Sequence, residues 1–174
     1  MHHEFEWPKP KNRAEQDTLR HVREHGCSII NIPWDGNEKE PPFSFSVGLF
    51  ANYNNPELIL FGMVGEKASA IINEVRHHVA NGRKFVAGEI SDEIPNDDYK
   101  VCFSQVPLTA YPFYLGWALW FYDKCPIVFP CLQRRLAGRQ PAFSMGCGMR
   151  SRRDSGSAVV EEDGVVSAVC DADE

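Results

Sequence analysis

The chain has 174 residues, a hydrophobic fraction of 43% and a formal net charge of -6. This length fits one domain with a substantial core, and the acidic balance gives no reason to expect nucleic acid as a partner. No apolar run reaches the ~18 to 20 residues of a membrane span, and the N-terminal residues lack the apolar core of a signal peptide. We therefore expect a cytoplasmic protein without a membrane partner.

The cysteines indicate reduced, structural thiols. They are Cys27, Cys102, Cys125, Cys131, Cys147 and Cys170. No two of them form a CxxC pair, so their spacing favours neither a zinc site nor a redox motif. Cys27 and Cys102 lie within apolar strand-like runs, where a free cysteine behaves as a small hydrophobe. Unpaired thiols of this kind are typical of cytoplasmic proteins.

The chain begins with a segment that we expect to be a flexible N-terminal arm, residues 1–14, which contains two prolines among charges. Asn12 is positioned to cap a helix that runs to about His25, and Gly26 is its stop signal. A short strand is predicted from Cys27 to Ile32, and a polar loop follows it.

Two strands are predicted next, on either side of a Pro-Glu step. Apolar and small residues alternate from Phe43 to Phe50, which is the period-2 pattern of a half-buried strand. Glu57 to Met63 is almost wholly apolar, as a more deeply buried strand would be. A helix from Gly65 to Asn81 carries one apolar stripe, and Gly82 ends it.

The second half predicts further strands at Lys84–Ile90, Tyr99–Val106 and Ile127–Leu132. The aromatic segment Tyr111–Tyr122 predicts a helix packed on the sheet. The connections among the first three strands are short. This order predicts an α+β fold, with a mainly antiparallel sheet of about five to six strands and two to three helices packed on one side of it.

Several segments, taken in order, resemble a bacterial family known as domain of unknown function 4262. They are His25-Gly26, Phe43–Leu49, Asn55–Leu58 running into Phe61-Gly62, the helix Ala68–Gly82, and Phe129–Gln133. The resemblance covers residues 15–133 and implies a single α+β domain with no assigned activity. The chain departs from the family at Cys27, where tryptophan is usual. It also departs at Asn55, where histidine is common, and this argues against acid–base chemistry there.

The composition changes after Gln133. Residues 134–174 are rich in arginine, glycine and serine, then acidic, and they predict a disordered tail. In the resembled family the last strand continues toward Trp-Pro-Asp and then Phe-Pro-Trp, and this chain has neither motif. Reading the gene one base later at Met145-Gly146 forces a tryptophan, because ATG is followed by GGN. Permitted codons give both motifs in that same frame, after two valines at positions 134 and 135. We therefore predict a frameshifted C-terminus.

The candidate catalytic residues are His25, Glu57, Ser44 and Ser46. Glu57 or His25 acting with one of the serines would suit a small hydrolase-like enzyme, but neither serine lies in a GxSxG elbow. Glu57 can instead close the loop at residues 52–55 by accepting backbone hydrogen bonds. His25 can instead complement the dipole at the end of its helix.

The candidate ligand-binding residues are Gly48, Asn55, Trp117 and Trp120. Gly48 within a strand would permit a ligand to approach closely, or it packs against an aromatic neighbour. The two tryptophans would stack a planar ligand, or they belong to the core.

No metal and no cofactor are expected. His77 and His78 are adjacent and point about 100° apart on a helix, and the GxGxxG, Walker and HExxH motifs do not occur. The sequence favours a soluble, non-catalytic module whose partner is an unknown small molecule or protein. That interpretation predicts a best pocket without paired ionisable groups. The enzyme interpretation predicts that the candidate catalytic side chains converge and have shifted pKa values.

Overall fold

A computed structural model describes residues 6–36, 40–94, 100–136, 158–160 and 165–168. This part of the chain contains α1 (Arg13–His25), α2 (Leu49–Tyr53), α3 (Gly65–Ala80), α4 (Tyr111–Tyr114) and α5 (Gly116–Phe121). Its strands are β1 (Ser28–Ile32), β2 (Phe43–Val47), β3 (Glu57–Phe61), β4 (Ile90–Ser91), β5 (Val101–Gln105), β6 (Cys131–Leu136), β7 (Ala158–Val160) and β8 (Val165–Ala168). None of the described helices is long and apolar enough to cross a membrane.

The strands form one mixed sheet in the order β4-β5-β6-β3-β2-β1-β8-β7. The β3–β6 and β1–β8 pairs are parallel, and the other neighbouring pairs are antiparallel. Six of the strands, β1 to β6, lie within residues 28–136, and β7 and β8 extend the sheet beyond β1. The predicted α+β class is therefore confirmed, with a sheet that is mainly but not purely antiparallel.

Local signals set the bounds of α1 as predicted. The Asn12 side chain accepts a hydrogen bond from the Glu15 backbone N–H at 2.8 Å, which satisfies one of the free donors at the start of the helix. Gly26 ends the helix with φ 87° and returns its N–H to the carbonyl of Val22. A side chain at Gly26 would collide with Tyr53, whose hydroxyl lies 1.9 Å from the position of a Cβ.

Helices cover both faces of the sheet, so the prediction of helices on one side is wrong. On the first face, Val22 of α1 and Phe121 of α5 share a buried cluster with Phe45 of β2. On the second face, the apolar stripe of α3 packs against Leu58 and Leu60 of β3. The β2 side chains that point away from Phe45 are Ser44 and Ser46, and both are fully buried. Their small polar side chains suggest a solvent-facing side, but their hydroxyls are hydrogen-bonded inside the protein.

Several predicted strands have different bounds. The alternation extended the strand from Phe43 to Phe50, but β2 ends at Val47, and Leu49 and Phe50 lie in α2. Between Lys84 and Ile90 only Ile90 is in a strand, because Gly88 takes φ 87° and turns the backbone out of regular pairing. The last predicted strand begins at Cys131 instead of position 127 and extends to Leu136. Pro130, which cannot donate to a ladder, immediately precedes it, and its carbonyl accepts the Glu57 N–H at 2.9 Å.

Two helical segments also differ from the expectation. The predicted helix at Tyr111–Tyr122 is broken at Leu115, which leaves the helical region with φ -116° and ψ 32° and separates α4 from α5. Helix α2 was not predicted, because its five residues lack a repeated apolar pattern.

Only part of the predicted arm and tail is described. Trp7 packs edge-on against Phe121 at 5.6 Å between ring centroids, and Glu6 pairs with Lys124 at 2.5 Å. The arm beyond these contacts, residues 1–5, lies outside the described residues and includes His2 and His3. Residues 137–157, 161–164 and 169–174 of the tail also lie outside the described residues. Disorder and the frameshift therefore stay predictions.

Candidate functional site

A buried carboxyl, that of Glu57, organises the polar interior at the start of β3. Its Oε1 accepts hydrogen bonds from the backbone N–H groups of Gly48 at 2.8 Å and Phe50 at 3.1 Å. The Tyr122 hydroxyl donates to the same oxygen. The Ser46 hydroxyl donates to Oε2 at 2.5 Å. Four donors from β2, α2 and the end of α5 thus converge on one carboxyl.

Gly48 makes this convergence possible, because it turns the chain from β2 into α2. Its φ of 113° lies in the left-handed region, and a Cβ there would lie 2.6 Å from Val22 Cγ1. The N–H groups at the start of α2 have no partner within the helix and bond to the carboxyl instead. The nearest side chain to that position is the aliphatic Val22 of α1, and a role of Gly48 in ligand binding stays a prediction.

Burial shifts the ionisation of this centre. The pKa of Glu57 is raised above its usual range because burial disfavours the charged form, although the four hydrogen bonds act in the opposite direction. Burial, and secondarily the nearby Glu57 charge, raises the pKa of the Cys27 thiol to about 12. Tyr122 likewise has a raised pKa, first because it is buried and then because Glu57 is near.

Ser46 and Glu57 do meet, as the enzyme interpretation requires, but they are sealed from solvent. Both side chains are 0% exposed. The Ser46 oxygen also accepts the Leu58 backbone N–H at 2.9 Å, so its hydrogen and an acceptor site are both engaged within the fold. A serine nucleophile must come within about 3.5 Å of the reacting carbonyl. No route to such a contact is open at a fully buried hydroxyl.

Ser44 and His25 lie elsewhere. The Ser44 hydroxyl bonds to Asn31 and to the Met63 carbonyl, the latter at 3.0 Å, beside the start of α3. His25 occupies the exposed last turn of α1, where its Nε2 lies 3.9 Å from a Glu24 oxygen. Neither residue joins Glu57, and their catalytic roles remain untested predictions.

The predicted backbone partners of Glu57 are also different from the observed ones. Residues 52–55 bond within α2 and its C-terminal turn, to Gly48, Leu49 and Phe50. The carboxyl closes the β2–α2 corner and not the turn that follows α2. Tyr122 was missed as a member of the site. One signal in the sequence could have indicated this role. Tyr122 lies at the end of a predicted aromatic helix, and a tyrosine buried there needs a hydrogen-bond partner for its hydroxyl.

The ligand-binding candidates do not gather at one place. Asn55 is 1% exposed, and its side-chain oxygen accepts the Phe85 N–H at 3.1 Å. Trp117 and Trp120 are partly buried against the first core cluster, with ring centroids 5.8 Å apart. Within the described residues no group of three or more His, Cys, Asp or Glu is arranged to hold a metal ion.

A solvent-open groove of about 530 Å³ lies between residues 7–10 of the arm and helix α1. We call it the arm groove. Its lining residues are Trp7, Pro8, Lys9, Pro10, Gln16, Leu19, Arg20, Arg23 and Glu24. No serine, cysteine or histidine is among them.

The raised pKa of Glu57 predicts a pH-dependent contribution to stability. A carboxyl that binds its proton more tightly in the folded state loses stabilising free energy as pH rises above the unfolded-state pKa of about 4.3, until the folded-state pKa is passed. Glu57→Gln cannot titrate. The unfolding free energy of the wild type minus that of Glu57→Gln should therefore fall as pH rises from 4 to 8. Urea unfolding at each pH measures it, and a difference that rises with pH would contradict the prediction.

The fold and this centre define an α+β domain with helices on both faces of a mixed sheet and a sealed carboxyl inside it. A family model described as Domain of unknown function (DUF4262) matches residues 21–143. This range is more than half of the chain, so the chain belongs to that family, and the resemblance found in the sequence is confirmed. The match extends past Gln133. No curated protein and no solved structure matches the chain.

Proposed function

We propose that the chain is a soluble, non-catalytic module of the bacterial cytoplasm that binds a small molecule or another protein. The carrying observation is that the serine and carboxyl that meet, Ser46 and Glu57, are both 0% exposed and hydrogen-bonded to the fold. Their arrangement stabilises the β2–α2 corner. Cys27 and Cys131 are buried as free thiols, which supports a reducing compartment.

The size and composition of the arm groove also support this proposal. It is open to solvent and, at about 530 Å³, has the size of a ligand site. Its ionisable residues are three cations and one carboxylate, Glu24, and its lining includes no serine, cysteine or histidine. A pocket of this composition can hold a ligand, and it lacks the serine or cysteine with a histidine base on which most hydrolase-like sites depend.

The runner-up is a small hydrolase-like enzyme, favoured by the 2.5 Å contact between Ser46 and Glu57. A fluorophosphonate probe, which labels activated serines, separates the two functions. We expect no labelling of the native protein under conditions that fully label a known serine hydrolase. Mass spectrometry that places the probe on Ser46 would overturn the proposal in favour of the enzyme. This readout needs no variant, so a folding defect of Ser46→Ala cannot obscure it.

A further inference from the structure

We infer that the arm groove is the ligand site and that its ligand is an acidic peptide segment with apolar residues between its carboxylates. The inference rests on the proposed binding function and names the partner chemistry. It depends on three properties of the groove: a preformed wall, cations on both sides, and apolar surface on the arm.

The arm wall is held in place by contacts at its start. Glu6 pairs with Lys124 at 2.5 Å, and Trp7 packs edge-on against Phe121 of the core. Pro8 and Pro10 restrict the backbone that follows. A peptide therefore meets an existing groove, and little conformational entropy is lost in forming it.

The cations lie on facing walls. Lys9 is on the arm, whereas Arg20 and Arg23 are neighbours on α1 at i and i+3. Arg20 is bound to Asp17 at 2.8 Å. Among the described residues, neither Lys9 nor Arg23 forms a salt bridge. Glu24 is the one carboxylate in the lining, so the three cations outnumber it in a chain whose net charge is -6.

Arg23 is preorganised for a carboxylate. Its guanidinium carbon lies 4.9 Å from the centroid of the Trp7 ring, which holds the planar group on the indole face. A stacked guanidinium keeps its in-plane N–H groups for bidentate bonding to a carboxylate. Trp7, Pro8 and Pro10 supply apolar surface between the charges, whereas Leu19 beneath them is 3% exposed. An extended peptide with several carboxylates spans both walls, which a single small anion does not.

Fluorescence polarisation with labelled peptides tests the inference on the full chain. We expect a short peptide of alternating glutamate and leucine to bind, and the matched lysine–leucine peptide and a single-stranded DNA oligonucleotide not to bind. Arg23→Gln should weaken peptide binding by about fivefold or more, which corresponds to ~1 kcal/mol. Arg13→Gln removes the same charge from a position on α1 outside the groove and should leave binding unchanged.

Several outcomes would overturn the inference. Equal binding of the lysine–leucine peptide or the oligonucleotide would do so, as would equal losses in Arg23→Gln and Arg13→Gln. If free glutarate binds as tightly as the peptide, the ligand is a small anion and not a peptide. If another compound raises the melting temperature and Arg23→Gln leaves that shift intact, the groove assignment fails while the binding function stands. Labelling of Ser46 by the serine probe would instead remove the proposed function itself.

Discussion

Replacing Glu57 with alanine should lower the free energy of unfolding by ~3 to 5 kcal/mol. The carboxyl is the common acceptor for donors from Ser46, Gly48, Phe50 and Tyr122. Each donor left unsatisfied in the interior costs about 1 to 3 kcal/mol, and the cavity adds to this. Partial relaxation and entering water keep the total below the sum of these terms. Urea unfolding at pH 7 followed by circular dichroism measures the loss.

Two variants separate the loss of the acceptor from the loss of packing. Glu57→Gln keeps an oxygen for the donors at Oε1 and should be destabilised by less than half as much as the alanine variant. Tyr122→Phe removes one donor and keeps the ring, and we expect a loss of about 1 kcal/mol. An alanine variant as stable as wild type would show that the carboxyl does not stabilise the β2–α2 corner.

Replacing Arg134 with valine should raise the free energy of unfolding by ~1 to 3 kcal/mol. Arg134 is 7% exposed and lies on β6 directly opposite Leu60 and Phe103, both essentially fully buried. Burial lowers the pKa of its guanidinium, which is the sign of an unfavourable environment for the charge. The guanidinium also lies 3.8 Å from the Met63 sulfur. Desolvation of a buried charge costs several kcal/mol, and valine does not incur this cost. Valine also suits a strand with neighbours on both sides.

The same position connects the fold to the predicted frameshift. Permitted codons place valine at 134 in the alternative frame, and the structure places the buried apolar residues Leu60 and Phe103 opposite that position. Arg13→Val is the control, since the Arg13 side chain is 93% exposed and the change should destabilise α1 by a few tenths of a kcal/mol. A loss of stability in Arg134→Val would contradict the prediction. Resequencing the gene tests the frameshift directly, because codons that cannot encode Trp-Pro-Asp in the next frame would exclude it.

The sequence by itself determined the elements whose signals are local. Asn12 and Gly26 bound α1 because a cap and a left-handed glycine act on adjacent backbone groups. The stripe of α3 and the alternation of β2 likewise predict elements that the structure contains. The α+β class follows from their order. The sequence also singled out Glu57 and Ser46, but not what surrounds them.

Tertiary structure alone decided the partners and the layers. Tyr122 and Glu57 are 65 positions apart, and they meet because α5 packs against β2, the strand that neighbours β3. The extension of β6 to Leu136 follows from its antiparallel pairing with β5, which no local pattern encodes. Ser44 and Ser46 are buried because α3 covers their side of β2, although their polarity predicts solvent. Periodicity shows that two sides of a strand differ, but only packing determines which of them is covered.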